Sequence, residues 1–219
     1  MGKKINPLIS LAVNLLFAGK EQSNPVNTIP EIGEIQPILR LRQKEGAVLL
    51  LLGRRESGKT TLAYRLAQVI GRPTYAVSPE EKPPQWVKEM KLEELDILPP
   101  PFSTLVLDDV PVYASSRDYQ SELVRNIERI IPVCRHTRKL ILIFSSQSSS
   151  LSDRYILDAD IIMFKQLSLL VQDLERPAVN KLYKNVEPVF SQMSETQIKK
   201  HCYVFCHSWQ GLAKVNRYE

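Results

Sequence analysis

Ala47-Val48-Leu49-Leu50-Leu51-Leu52 runs directly into Gly53-Arg54-Arg55-Glu56-Ser57-Gly58-Lys59-Thr60, and Thr61-Leu62-Ala63-Tyr64-Arg65-Leu66-Ala67-Gln68-Val69-Ile70 follows. The first stretch is an unbroken apolar run, the signature of a parallel strand buried on both faces. The last has helical periodicity. The middle has the spacing G-x-x-x-x-G-K-[ST], which at average glycine usage arises by chance in roughly one chain in a hundred of this length. The strand before it and the helix after it give the pattern a physical basis. Gly53 and Gly58 let the backbone curl so that successive N–H groups point inward at phosphate oxygens, and the helix adds its positive end. Lys59 is expected to reach the β- and γ-phosphates and Thr60 to place its hydroxyl on Mg²⁺. The candidate nucleotide contacts are Gly53, Arg54, Arg55, Glu56, Ser57, Gly58, Lys59, Thr60 and Thr61. Glu56 is an unusual charge beside phosphates; it either faces away or assists the attacking water.

A second apolar run, Ser103-Thr104-Leu105-Val106-Leu107, delivers Asp108-Asp109 at its carboxyl end. In open α/β sheets ligands sit outside the carboxyl ends of the strands, so Asp108 is expected near Thr60 as the Mg²⁺-holding acid. Asp109 is the candidate for polarising the attacking water. The separation of Lys59 from Asp108 leaves room for an extra strand between the loop strand and the acidic strand. A third run, Lys139–Phe144, ends in Ser145-Ser146-Gln147. Gln147 is its polar tip and the candidate γ-phosphate sensor.

Around these motifs the expected elements alternate: strand Ala47–Leu52, helix Lys59–Ile70, strand Thr74–Val77 and a proline-punctuated helical piece over Pro84–Lys91. Strand Ser103–Leu107, a helix over Asp118–Val133, strand Lys139–Phe144, a short helix over Leu151–Leu157 and strand Asp160–Phe164 follow. Strands alternating with helices imply a mostly parallel sheet covered on both faces. The tail reads as helices over Leu167–Lys184 and Phe190–Lys200, then a hairpin of Cys202–His207 and Gly211–Arg217 turning at Trp209-Gln210-Gly211. This organisation divides the chain into an N-terminal amphipathic helix with a linker arm, 1–46, and a catalytic domain, 47–219.

The 219 residues are 43% apolar and suffice for one sizeable α/β core. A net charge of +5 permits a polyanionic partner without establishing one. Three scattered cysteines build no disulfide framework and fit a reducing, cytoplasmic setting. His201 to His207 is rich in histidine and cysteine, but strand alternation separates Cys202 and Cys206 from the two histidines, so it reads as an apolar strand. Near the N-terminus, Asn6, Ser10 and Asn14 mark a polar stripe on an apolar stretch too short to span a bilayer. An amphipathic helix packed on the domain or on a neighbouring subunit is the favoured reading. Membrane-surface association and a cleaved signal are the alternatives. Arg40, Arg42 and Lys44 form one basic strip, and Lys199, Lys200, His201, Lys214 and Arg217 another.

Together, Gly53–Thr60, Asp108-Asp109 and the segment Arg138 to Gln147 resemble the FtsK–HerA superfamily of DNA-pumping ATPases, most nearly its small viral genome-packaging members. A segment like Arg154 to Phe164 also follows the glutamine-tipped strand in that family. The resemblance covers about Val48 to Phe164 and implies a RecA-like (ASCE) P-loop NTPase fold of class α/β, with ATP and Mg²⁺ as cofactors. It implies a homo-oligomeric ring acting on double-stranded DNA; the N-terminal helix itself leaves room for a capsid or membrane docking partner. The setting it implies is the host cytoplasm or a virion vertex. It further implies an arginine finger acting on a neighbouring subunit's nucleotide; Arg138 and Arg154 are the candidates carried forward from Arg125, Arg129, Arg135, Arg138 and Arg154. The family usually carries Asp-Glu where this chain has Asp108-Asp109, which shortens the reach to the water. A DnaC- or IstB-like helicase loader tolerates such an acidic pair and is the enzyme alternative. A nucleotide-gated assembly or membrane-docking protein with little turnover is the other.

Overall fold

The computed structural model describes residues 29–44, 46–78, 81–91, 94, 98–109, 130–132, 134, 137–147, 159–168 and 177–218. The N-terminal amphipathic helix, most of the helix expected over Asp118–Val133, and the helix expected over Leu151–Leu157 lie outside these residues.

Among the described residues eight strands form one sheet in the order β3-β2-β4-β5-β1-β6-β7-β8. β1 (Ala47–Leu52) lies at its centre, fully buried, between β5 (Ile141–Ser146) and β6 (Ile161–Phe164), both parallel to it. Alternation along β1 divides its side chains between two cores. Val48, Leu50 and Leu52 face one layer, which includes Tyr183, Phe190 and Ile198. Ala47, Leu49 and Leu51 face the helix Lys59–Ile70 and the segment carrying Ile32, Ile35, Ile38 and Leu41. Each valine or leucine side chain so buried contributes about 1.5–3 kcal/mol. The segment read as a linker arm thus supplies core residues, through a 3₁₀ turn, Ile32–Glu34, and helix α1, Gln36–Arg40.

β4 (Thr104–Leu107) is separated from β1 by β5, so the extra strand expected between loop and acids is the glutamine-tipped strand itself. β2 (Thr74–Val77) pairs parallel with β4. The expectations for β1, β2 and helix α2, Lys59–Ile70, match to the residue.

Four expectations are corrected. Pro84–Lys91 is a turn followed by the two-residue strand β3, Lys88–Glu89. Val87 and Met90, three residues apart, are buried on opposite faces of the sheet, which suits an extended chain and not a helix. β5 runs two residues further than Phe144 because Ser145 and Ser146, though polar, pair with Leu51 and Leu52; its start moves to Ile141 because Lys139 has φ +54. The helix expected over Phe190–Lys200 is two, α4 (Glu187–Ser191) and α5 (Glu195–Lys200), after α3 (Pro177–Lys184). Ser194 and Gln197 form a capping box that restarts the chain as α5. The hairpin turns at His207-Ser208 between β7 (His201–Cys206) and β8 (Trp209–Lys214). Gly211 belongs to the strand: a Cβ there would lie 3.1 Å from the Trp209 ring that covers it.

Candidate functional site

The loop after β1 is clamped by the strands on either side before it begins to curl. Gly53 donates its N–H to Ser146 O at 3.1 Å, Lys165 donates to Leu52 O at 2.7 Å, and Arg54 donates to Gln166 O at 2.7 Å. Gly53 is required by close approach, because a Cβ there would fall 2.5 Å from Lys165 Cβ and 2.8 Å from Ser57 Oγ. Gly58, at φ +89, turns the chain into α2. Glu56 takes φ +59, a left-handed conformation that costs a non-glycine residue about 1–2 kcal/mol. Its side chain is exposed, as is that of Arg55, and Thr61 is half-buried.

Within the curl, Lys59 is 8% exposed and donates from Nζ to Arg54 O at 3.0 Å. Thr60 Oγ1 donates to Asp108 Oδ2 at 2.9 Å across 48 residues of sequence. Asp108 is 5% exposed, and its other oxygen accepts the Ser145 hydroxyl hydrogen. The same Ser145 Oγ accepts the N–H of Asp109 at 3.0 Å, which holds Asp109 at φ +47. Gln147 directly follows Ser146, the residue whose carbonyl receives Gly53, so it stands half-buried at the mouth between loop and acids. Lys59, Thr60, Asp108, Asp109 and Gln147 are thus gathered at the carboxyl ends of β1, β5 and β4. The Thr60 hydroxyl beside the Asp108 carboxylate is an all-oxygen donor pair, and this chemistry fits Mg²⁺.

Other candidates fall elsewhere. Arg138 lies at the amino end of β5, its carbonyl accepting Phe102 N–H at 3.2 Å, at the far end of the sheet from its own loop. Arg154, Arg125, Arg129 and Arg135 lie outside the described residues. The Arg54 guanidinium turns away from the loop's curl to Gln166 Oε1 at 2.9 Å and to the Glu195 carboxylate at 2.6 Å. In the first basic strip, Arg42 donates to Val69 O and Lys44 pairs with Asp160 at 2.6 Å, leaving Arg40 facing solvent. In the second, Lys214 lies 3.7 Å from Glu31, and burial pushes the His201 imidazole below its usual range.

Two residues were missed by sequence reasoning. Ser145 couples both acids; its signal was a hydroxyl directly at the carboxyl end of the apolar run Leu140–Phe144, level with the acids that end the neighbouring run. Lys165 follows Phe164 and is fully buried, donating from Nζ to Lys199 O at 2.8 Å and Ile198 O at 3.2 Å. Burial pulls its ammonium down to about 8, with a nearby buried Cys202 and the like charge of Lys59 as smaller influences. A lone lysine at the carboxyl end of a buried strand was the available sign.

No family model matches the chain, and a search of curated sequences returns no match. Solved structures do share its fold. The genome packaging NTPase B204 from Sulfolobus turreted icosahedral virus 2 aligns in its AMPPCP complex with a TM-score of 0.51 at 10% identity, covering 80% of this chain and 100% of that one. Its ATP-γS complex gives 0.50 at 12% identity over 84% and 100%. The cytoplasmic domain of the Type VII secretion ATPase EccC from Thermomonospora curvata gives 0.52 at 14% identity, covering 82% of this chain and 24% of that one. The fold implied by the FtsK–HerA resemblance is the fold found.

Proposed function

We propose that this chain is a Mg²⁺-dependent ATPase of the FtsK–HerA type that works as a homo-oligomeric ring and translocates double-stranded DNA in genome packaging. The observation that carries the reading is the 2.9 Å hydrogen bond between Thr60 and Asp108, which joins the phosphate-loop helix to the acidic strand at one donor pair suited to Mg²⁺. The fold shared with B204, a genome packaging NTPase described in complex with ATP analogues, supports the nucleotide and the substrate class.

In this reading Lys59 and the loop N–H groups bind the β- and γ-phosphates, and Thr60 and Asp108 hold the metal. The metal supplies charge neutralisation on the transferring phosphoryl group. Asp109 orients the water and Gln147 senses the γ-phosphate. An arginine from the adjacent subunit completes the site, and Arg138 is suited by standing at the end of the sheet remote from its own loop.

ATP turnover measured with and without long double-stranded DNA tests the proposal. Stimulation by DNA that Lys59→Ala abolishes is the expected result. Tight ATP binding with no turnover on any polymer would replace the motor with a nucleotide-gated assembly or docking protein.

A further inference from the structure

Lys165 is a lysine with no exposed surface, set directly behind the phosphate loop. A Cβ built on Gly58 would lie 3.6 Å from Lys165 Nζ and 3.2 Å from Lys199 O. The loop, the ammonium and the carboxyl end of α5 therefore form one stack. Two of the three ammonium hydrogens go to Ile198 O and Lys199 O, carbonyls at the negative end of that helix. An uncompensated buried ammonium is costly and retained only where something offsets it. Two backbone carbonyls offset part of that cost, and a polyanion in front of the loop would offset more.

We propose that Lys165 is a positioning residue for the bound nucleotide: it pins the loop at Gly58 to α5 and adds a second positive charge, behind that of Lys59, to the field meeting the phosphates. This rests on the nucleotide reading above. The charged and titratable groups around it are Lys59 on α2, Cys202 and His201 on β7, and the exposed Lys199 and Lys200 side chains on α5. The Cys202 thiol, pushed up to about 12 by burial, stays neutral through the range concerned.

In the free protein the ammonium titrates near 8. Bound phosphate favours its charged form, so ATP affinity is full below that range and declines as the pH rises through the higher value in the complex. A one-unit rise on binding corresponds to about a tenfold change in affinity. The phosphate's own second ionisation, near 6, lies below this window.

The test is titration of the full chain with a fluorescent ATP analogue and Mg²⁺ from pH 7 to 9.5. Wild type is expected to weaken about tenfold across the range. Lys165→Met should start about tenfold weaker and stay flat, and Lys165→Arg should keep the pH 7 affinity without the decline. A Lys165→Met profile parallel to and level with wild type overturns the inference while leaving the nucleotide reading intact. Wild type that binds no ATP at any pH overturns both. If Lys165→Met fails to fold, wild-type calorimetry at pH 8 in two buffers of different ionisation enthalpy decides: proton uptake on binding supports the inference, and none refutes it.

Discussion

Replacing Gly53 with alanine puts a methyl group 2.5 Å from Lys165 Cβ and 2.8 Å from Ser57 Oγ. Carbon atoms in contact sit about 3.5–4.0 Å apart, so the overlap with Lys165 is about 1 Å. Neither neighbour can retreat cheaply. Lys165 is fixed at its amide by Leu52 O at 2.7 Å and at its ammonium by Lys199 O at 2.8 Å, and Ser57 is fully buried. Overpacking a rigid site typically costs about 1–3 kcal/mol, and the absence of slack places Gly53→Ala at about 3. For a chain of this size each kcal/mol lowers Tm by about 2–4 °C, so the expected loss is about 6–12 °C. Gly33→Ala is the control, because its Cβ would meet only Val69 Cγ2, at 3.3 Å, and the expected loss there is under about 3 °C. Thermal unfolding followed by circular dichroism measures both. A Gly53→Ala protein melting within about 2 °C of wild type, or no lower than Gly33→Ala, would refute the claim that the loop is stacked rigidly on residue 165.

Asp108→Asn keeps the side chain's volume and can still accept from Thr60, but it loses the charge that would hold the metal. Steady-state turnover should fall by about a hundredfold or more, while Tm changes by under about 3 °C. Ser145→Ala deprives the Asp108 carboxylate of a donor and the Asp109 N–H of its acceptor. The expected loss in urea denaturation is about 1.5–3 kcal/mol. Stability of the nucleotide-free chain should rise with pH above about 8, because the folded-state value of Lys165 lies below its usual 10.5 and the unfolded chain then binds more protons. Above about 9 the unfolded Cys202 thiol ionises first and cancels this rise, and the buried Tyr64, Tyr183 and Tyr203 phenols, also held above their usual 10.0, turn the slope downward as the unfolded phenols begin to ionise. Urea midpoints across pH 7–10 should therefore peak near 9 in wild type and lose the rising limb in Lys165→Met.

The elements legible in the sequence are those whose signal is local and one-sided. β1 is apolar at every position and helix α2 ends at Gly71 in the left-handed conformation, so both boundaries were written in side chains. β3 was not legible, because two prolines and an apolar pair three apart suit a helical turn as well as a strand edge. Only the sheet separates Val87 from Met90 onto opposite faces. The hairpin turn was misplaced because Gly211 reads as a turn glycine, whereas the Trp209 ring lying over it is what requires the missing side chain.

The candidate site divides along the same line. Thr60 and Asp108 are partners through their side chains, so residue types at the right spacing announce them. The supports of the loop are bonds to backbone carbonyls, which every residue possesses and no motif can encode. Gly53 rests on Ser146 O, Arg54 on Gln166 O, and Lys165 on Ile198 O and Lys199 O. Arg54 makes the point sharply. Its position inside the loop argues for a phosphate contact, yet its guanidinium goes to Gln166 and Glu195, 112 and 141 residues further along the chain. The loop from Gly53 to Thr60 is therefore contiguous in sequence but braced by the segment that follows β6 and by α5. Its geometry depends on a C-terminal segment that the motif itself gives no reason to include, and any movement of α5 relative to β6 acts on the loop through Lys165 and Glu195.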